Sequence, residues 1–281
     1  MEEIWSLYFP LLATGLVSGF MAGLLGVGGG LVIVPVLATL LELQQTADMQ
    51  RAIIYPMHMA IGTSLAIIVP TSILSARTHF KLGNVDKIAA SQLALPIFIG
   101  AFGGAVLVKM MDNATLKILF GSLAIFLSIS FWTKVMIWRH GLPAQPVRSG
   151  IGGLIGLISA VVGIGGGSLT VPTLSACGWA IHRAVGTSAL LGLVISVPAM
   201  LSYIFIGWGL DGRPDGALGF VWLPAALTIS LTALVTAPIG AKTAAKIDKE
   251  KLRKIFGIFM VLVGGRLIYD GVRMGGFAVL G

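Results

Sequence analysis

Long apolar stretches separated by short polar ones run the length of the chain. Residues 88–108 and 116–132 are each close to the ~20 residues that cross a bilayer as an α-helix, and similar runs fill almost everything else. The pattern predicts ten helical segments, five in each half. In the first half they cover roughly 4–25, 34–43, 52–76, 88–108 and 114–138; in the second, 151–162, 171–179, 184–206, 218–241 and 252–272. The first two segments of each half flank a glycine cluster and form a hairpin around it.

Those clusters repeat. "GLLGVGGGLVIVPVL" opens at Gly23 and "AVVGIGGGSLTVPTL" at Ala160. Gly26 to Gly30 matches Gly163 to Gly167 at an offset of 137, and Pro35 matches Pro172 at the same offset. "HMAIGTS" from His58 matches "HRAVGTS" from His182 at an offset of 124, so the first half carries 13 extra residues around "ELQQTADMQR". "LKILFG", ending at Gly121, matches "LRKIFG", ending at Gly257. Four matches in the same order indicate an internal duplication, with repeats at 1–141 and 142–281 forming one integrated transmembrane domain.

Composition sharpens this picture. Charged residues make up 11% of the 281 positions, against about 25% in soluble domains. The net charge of +8 does not point to nucleic acid, because Lys and Arg sit in short loops between apolar runs, where they act as topology signals. The basic stretches are 77–87, the region holding Lys134, Arg139, His140 and Arg148, and 242–254; the loops at 42–51 and 207–219 carry acidic residues. Basic loops in the cytoplasm place both acidic loops and both termini outside, and they invert one half relative to the other. Arg266 and Arg273 near the C-terminus weakly oppose that arrangement. One cysteine, Cys177, excludes an internal disulfide framework. Acidic residues precede the first apolar run, where a signal peptide needs basic ones, so that run reads as a retained helix.

Broken helices at matching places in inverted repeats mark secondary transporters with a midplane site. A glycine-rich break frees backbone N–H groups, which hydrocarbon tolerates only where they face protein or a watery cavity. Pro35 and Pro172 suit the first turn of a new helix. A helix from Pro35 to Leu43 would be nine residues, about 13 Å long. Such a half-helix aims its positive end and its unpaired amides at an anion. The predicted substrate contacts are Gly28, Gly29, Gly30, Gly165, Gly166, Gly167 and Ser168, together with the hydroxyls of Thr63, Ser64, Thr187 and Ser188. Gly26, Pro35, Gly163 and Pro172 make the breaks.

His58, His182 and Arg77 are weaker candidates, since histidines at segment ends are commonly structural and Arg77 is also an ordinary topology charge. The competing reading of the glycines is close helix packing; that of the hydroxyls is back-bonding to helix carbonyls. Arg266 lies inside an apolar run, four residues before Asp270, which can neutralise it. The sequence calls for no cofactor and no metal: Cys177, His58 and His182 have no ligand or nucleophile spacing, which argues against an enzyme.

Together, "GLLGVGGGLVIVPVL", the two "GTS" helix starts, "SARTHFKLGNVD" and the second "GIGGG…VP" resemble the TauE/SafE sulfite-exporter family over essentially the whole chain. Ser168 stands where the first copy has Leu31, so the two loops need not contribute equally. The resemblance implies a multi-pass protein of the bacterial inner membrane that moves a small sulfur oxyanion, sulfite or a sulfonate such as sulfoacetate. Import of thiosulfate or sulfate, and an anion channel, remain alternatives. The expected partners are the anion and the lipid bilayer, with homo-oligomerisation left open and no nucleic acid.

Overall fold

Lipid offers no hydrogen bonds to a backbone, so an apolar chain closes its own as helices. The computed structural model describes residues 2–25, 29–47, 53–132, 141–244 and 249–278. Among them it has ten helices. The first half contains α1 (Glu2–Leu25), α2 (Gly30–Ala47), α3 (Pro56–Lys81), α4 (Lys87–Val108) and α5 (Asn113–Trp132). The second contains α6 (Val147–Val162), α7 (Gly167–Ala176), α8 (Ile181–Ile206), α9 (Leu223–Ala244) and α10 (Lys249–Ala278). Five of these, α3, α4, α8, α9 and α10, contain stretches long and apolar enough to cross a membrane, and shorter apolar helices accompany them. Large side chains such as Leu95, Phe98 and Phe102 point outward from α4, while Ala101, Gly104 and Ala105 face inward. That is the expected arrangement when the surroundings are as apolar as leucine and close packing holds the helices together.

The two halves are interleaved. α1 lies along α9, α6 along α4, α3 along α8, and α5 along α10. The first two pairings are equivalent and keep the same register. Gly15 packs on Ile229 and Gly19 on Ala233, while Gly152 packs on Leu93 and Gly156 on Ile97. Both pairs run parallel. The equivalence extends to the loops. The Thr63 hydroxyl accepts the Trp222 N–H (2.9 Å) just before α9, and the Thr187 hydroxyl accepts the Asp86 N–H (2.9 Å) just before α4. Gly62 presses on the Phe220 carbonyl and Gly186 on the Asn84 carbonyl, where a Cβ would come within 2.5 Å in each case. Each half thus uses its GTS helix to seat the other half's fourth segment.

The loops gather at two ends. At one, Arg183 and the Trp179 indole bind Asp86, Arg148 binds Gln92, and Gly141 binds the Cys177 carbonyl. At the other, Asn113 holds Met57 and Ile54, and Ile54 binds the Gly212 carbonyl. Arg148, Lys87 and Arg183 therefore share the first end, and Asp112 and the 207–219 loop share the second.

Four expectations need correction. α2 has 18 residues, about 27 Å, so the first glycine cluster does not open a nine-residue half-helix; α7, with 10 residues, does open a short one. Pro35 and Pro172 each stand at the sixth helical position rather than in the first turn. The helix expected to end at Ala76 continues to Lys81. The loop before α9 folds into a hairpin, Ala217–Leu218 with Val221–Trp222, that carries Phe220 and Trp222 into the core.

The longer α2 also moves Glu42 out of its expected loop. Its carboxylate meets Lys117 of α5 at 2.7 Å, with the Lys117 side chain 3% exposed. Arg266 pairs with Asp270 at 3.7 Å on the surface of α10.

Candidate functional site

The second glycine turn begins where α6 ends. Gly163 takes the left-handed conformation (φ 71°), which glycine adopts without a Cβ penalty, and its N–H and that of Ile164 both return to the Ser159 carbonyl. The chain then crosses beside the midpoints of two long helices: Gly165 touches Ile68 of α3, and Gly166 touches Gly192 of α8. Here the two clusters meet. A Cβ on Gly30 would lie 2.5 Å from the Gly163 carbonyl, and that same carbonyl accepts the Ser64 hydroxyl at 2.8 Å. Only a glycine lets the start of α2 approach the second turn so closely.

Beside this junction lies a cavity of about 250 Å³, smaller than the roughly 300–1,000 Å³ of pockets that hold drug-sized ligands. Gly29, Gly165, Gly166, Gly167 and Ser188 form its inner end. Ser18 of α1, Ser72 and Ser75 of α3, and Ala237 of α9 extend it outward to Thr78, His79 and Ala241. It therefore reaches the end of the molecule where α3 and α9 finish in their basic loops. No Asp or Glu among the described residues lines it.

Its inner wall is rich in donors. The Gly165, Gly166 and Gly167 N–H groups have no backbone acceptor among the described residues, and they lead into the first turn of the ten-residue α7, whose positive end is here. Ser188 is 2% exposed, and its hydroxyl has no partner among the described residues. Buried polar groups are nearly always satisfied, so an unmatched hydroxyl beside unmatched amides suits an acceptor-rich guest. A cation would need carboxylates or carbonyls in their place.

The other predicted contacts lie elsewhere. Thr63, Ser64 and Thr187 are buried with their hydroxyls engaged as described and do not line the cavity. Ser168 is buried in the first turn of α7, away from the cavity wall. Gly30 is at the junction rather than in the cavity. His58 is buried at the opposite end, against the Val108 carbonyl (3.3 Å) and the rings of Tyr55 and Phe220. His182 and Arg77 are exposed. Gly26 and Gly28 fall outside the described residues.

The sequence reading overlooked His79, Ser72 and Ser75. With Ile68 they recur at 68, 72, 75 and 79, one helical face of α3, a polar stripe that was there to be read. His79 has a buried Nδ1 without a partner among the described residues.

Near the cavity mouth, Asp86 fixes the start of α4. Its Oδ1 accepts the Ile88 and Ala89 N–H groups, and its Oδ2 accepts Trp179 and Arg183. The Ala89 N–H, and then the Trp179 indole and the Arg183 guanidinium, hold the carboxyl below its usual range, against an opposing push from burial.

Long apolar helices, a glycine break between α6 and α7, and a largely apolar cavity with a few polar groups at that break are the features of a multi-pass membrane transporter. The chain belongs to the sulfite exporter TauE/SafE family, whose model matches residues 11–267. A "probable membrane transporter protein" of Haemophilus influenzae is 38% identical over 256 residues, covering 90% of this chain and 94% of its own. Proteins so named from Methanocaldococcus jannaschii (27% over 278 residues; 93% and 98% of the two chains) and Bacillus subtilis (26% over 287; 93% and 97%) are also similar. No solved structure matches the chain.

Proposed function

We propose that the protein is a secondary transporter that carries a small sulfur oxyanion, sulfite or a small organosulfonate, across the bacterial inner membrane by alternating access. The observation that carries this reading is the pairing of the Gly165–Gly167 amides with the unmatched Ser188 hydroxyl on a cavity that no Asp or Glu lines among the described residues. The family description supports sulfite as the substrate class. The repeats at 1–141 and 142–281 are inverted halves, and the interleaved, register-matched pairs α1–α9 and α6–α4 support that. Basic residues gathered at one end place that end in the cytoplasm, so the cavity opens inward. Substrate binds there as an anion, with the amides and Ser188 replacing part of its water shell and the end of α7 contributing its dipole.

Reconstitution into proteoliposomes tests this. Saturable flux of radiolabelled sulfite or sulfoacetate is expected, and weakened apparent affinity with Ser188→Ala. Absence of flux for every small sulfur anion from folded protein overturns the substrate assignment, and unitary currents in place of saturable exchange make it a channel.

A further inference from the structure

The cavity extends toward the end that holds Thr78, His79 and Ala241, and the residues that form it have counterparts in the other half. Moving along the repeat by the offsets already noted, Ala22 and Gly23 of α1 correspond to Ser159 and Ala160 of α6, and Ser72 and His79 of α3 correspond to Ser196 and Tyr203 of α8. The first member of each pair lines the cavity or its mouth. The second members are all fully buried: Ser159, Ala160 and Ser196 are 0% exposed and Tyr203 is 1% exposed.

Two features distinguish this buried set from ordinary core. The Ser159 and Ser196 hydroxyls have no hydrogen-bond partner among the described residues, although each sits on a helix with carbonyls available for back-bonding, as Ser202 shows by bonding the Pro198 carbonyl at 2.9 Å. Tyr203, the residue equivalent to His79 of the open mouth, reaches from α8 to α6 and donates its hydroxyl to the Ala160 carbonyl at 3.2 Å. It also packs against Gly62. Ala160 is itself the counterpart of Gly23, a cavity residue.

Resting on the transport reading above, we infer that Ser159 and Ser196 line the closed second half of the anion's path and that Tyr203 latches it through Ala160. The two serines are the polar subsite an anion meets when that end opens, the counterpart of the serines along α3. His79 stands where it can take the Tyr203 role at the opposite mouth, with the Gly23 carbonyl in place of Ala160's.

Cysteine accessibility in membranes tests this. In a Cys177→Ser background, Ser72→Cys, Ser159→Cys, Ser196→Cys and, as a core reference, Ser128→Cys are each exposed to a membrane-impermeant maleimide from either face. Ser128 is buried and bonded to the Gly257 carbonyl, away from the path. Ser72→Cys is expected to react from one face only, and Ser159→Cys and Ser196→Cys to react slowly from the other. Adding Tyr203→Phe removes the latch's hydrogen bond and raises the last two rates about fivefold, the population shift that one neutral hydrogen bond supports. Unchanged rates with both Tyr203→Phe and Tyr203→Ala, in membranes where Ser72→Cys still reacts, overturn the inference, as does an equal rise at Ser128→Cys. The readout needs no substrate, so a protein that fails to move sulfite can still satisfy it, and one that moves sulfite can still fail it.

Discussion

α2 and α7 share the same glycine phrase at their starts and carry proline at the same position, yet α2 has 18 residues and α7 has 10. The difference arises from the residues C-terminal to each proline. After α7, Gly178 turns the chain at φ 92° and α8 begins at once. After Leu41 the first half has Glu-Leu-Gln-Gln-Thr-Ala, mostly good helix formers and no Gly or Pro to stop them, and α2 runs on. The extension sets Glu42 against Lys117 and ties α2 to α5. Among the described residues α7 has no such ion pair, and it touches chiefly α8. One glycine phrase can therefore precede an anchored strut in one half and a short element beside the cavity in the other.

Removing the close approach at the junction is the most damaging way to break this comparison. Gly30→Ala places a methyl against the Gly163 backbone, and overpacking of that kind is expected to cost about 3 kcal/mol. Gly165→Ala, whose new methyl meets only Ile68 side-chain atoms at 3.4 Å or more, should leave the fold within about 1 kcal/mol of wild type while narrowing the cavity. Thermal unfolding in detergent measures both, and equal losses would mean that the two turns are not packed differently.

Lys117→Met should come next, at about 2 kcal/mol. A fully buried pair loses roughly 3–5 kcal/mol when one partner goes, and the Glu42 side chain is 31% exposed. A negligible change would show that α2 is no more anchored than α7.

Thr63→Val and Thr187→Val sharpen the symmetric side of the comparison. Each strands one backbone N–H, of Trp222 or Asp86, and each is expected to cost about 1–3 kcal/mol, with the two values close to one another. A large inequality would mean that the repeats do not share this device.

The smallest effect concerns acid. Because Asp86 titrates below its ordinary value in the folded protein, the stability it supplies is complete above about pH 3.9, its unfolded value. That contribution fades as pH falls through the lower folded value. Asp86→Asn should flatten that limb of the unfolding-versus-pH curve; an unchanged limb would assign acid sensitivity elsewhere.

Much of this was legible in the chain. The helical segments followed from apolar runs in which a bilayer allows little else. Gly29, the 165–167 turn and Ser188 line one cavity, and the glycine phrase and GTS hydroxyl that mark them are visible in one dimension. Other features depended on partners the sequence does not show. Thr63 and Thr187 repeat as the ligand residues were expected to, yet each serves the other half's loop, since any buried N–H attracts a nearby hydroxyl. His79 was hidden by ending the third segment at Ala76, where charges begin; the helix runs on to Lys81 with His79 and Lys81 in its last turn, where basic side chains suit the negative end of the helix dipole. The hairpin at 217–222 has no strand pattern of useful length and exists because Gly207 and Gly219 let it lie against α8.

Crystals grown with selenite, an anomalous stand-in for sulfite, test the central claim most directly. An anomalous peak is predicted within about 4 Å of the Gly165–Gly167 amides and the Ser188 hydroxyl, the reach of hydrogen bonds from these groups to an oxyanion centred just beyond its oxygens. A peak anywhere else in a transporting protein, or none at concentrations that saturate flux, would contradict it.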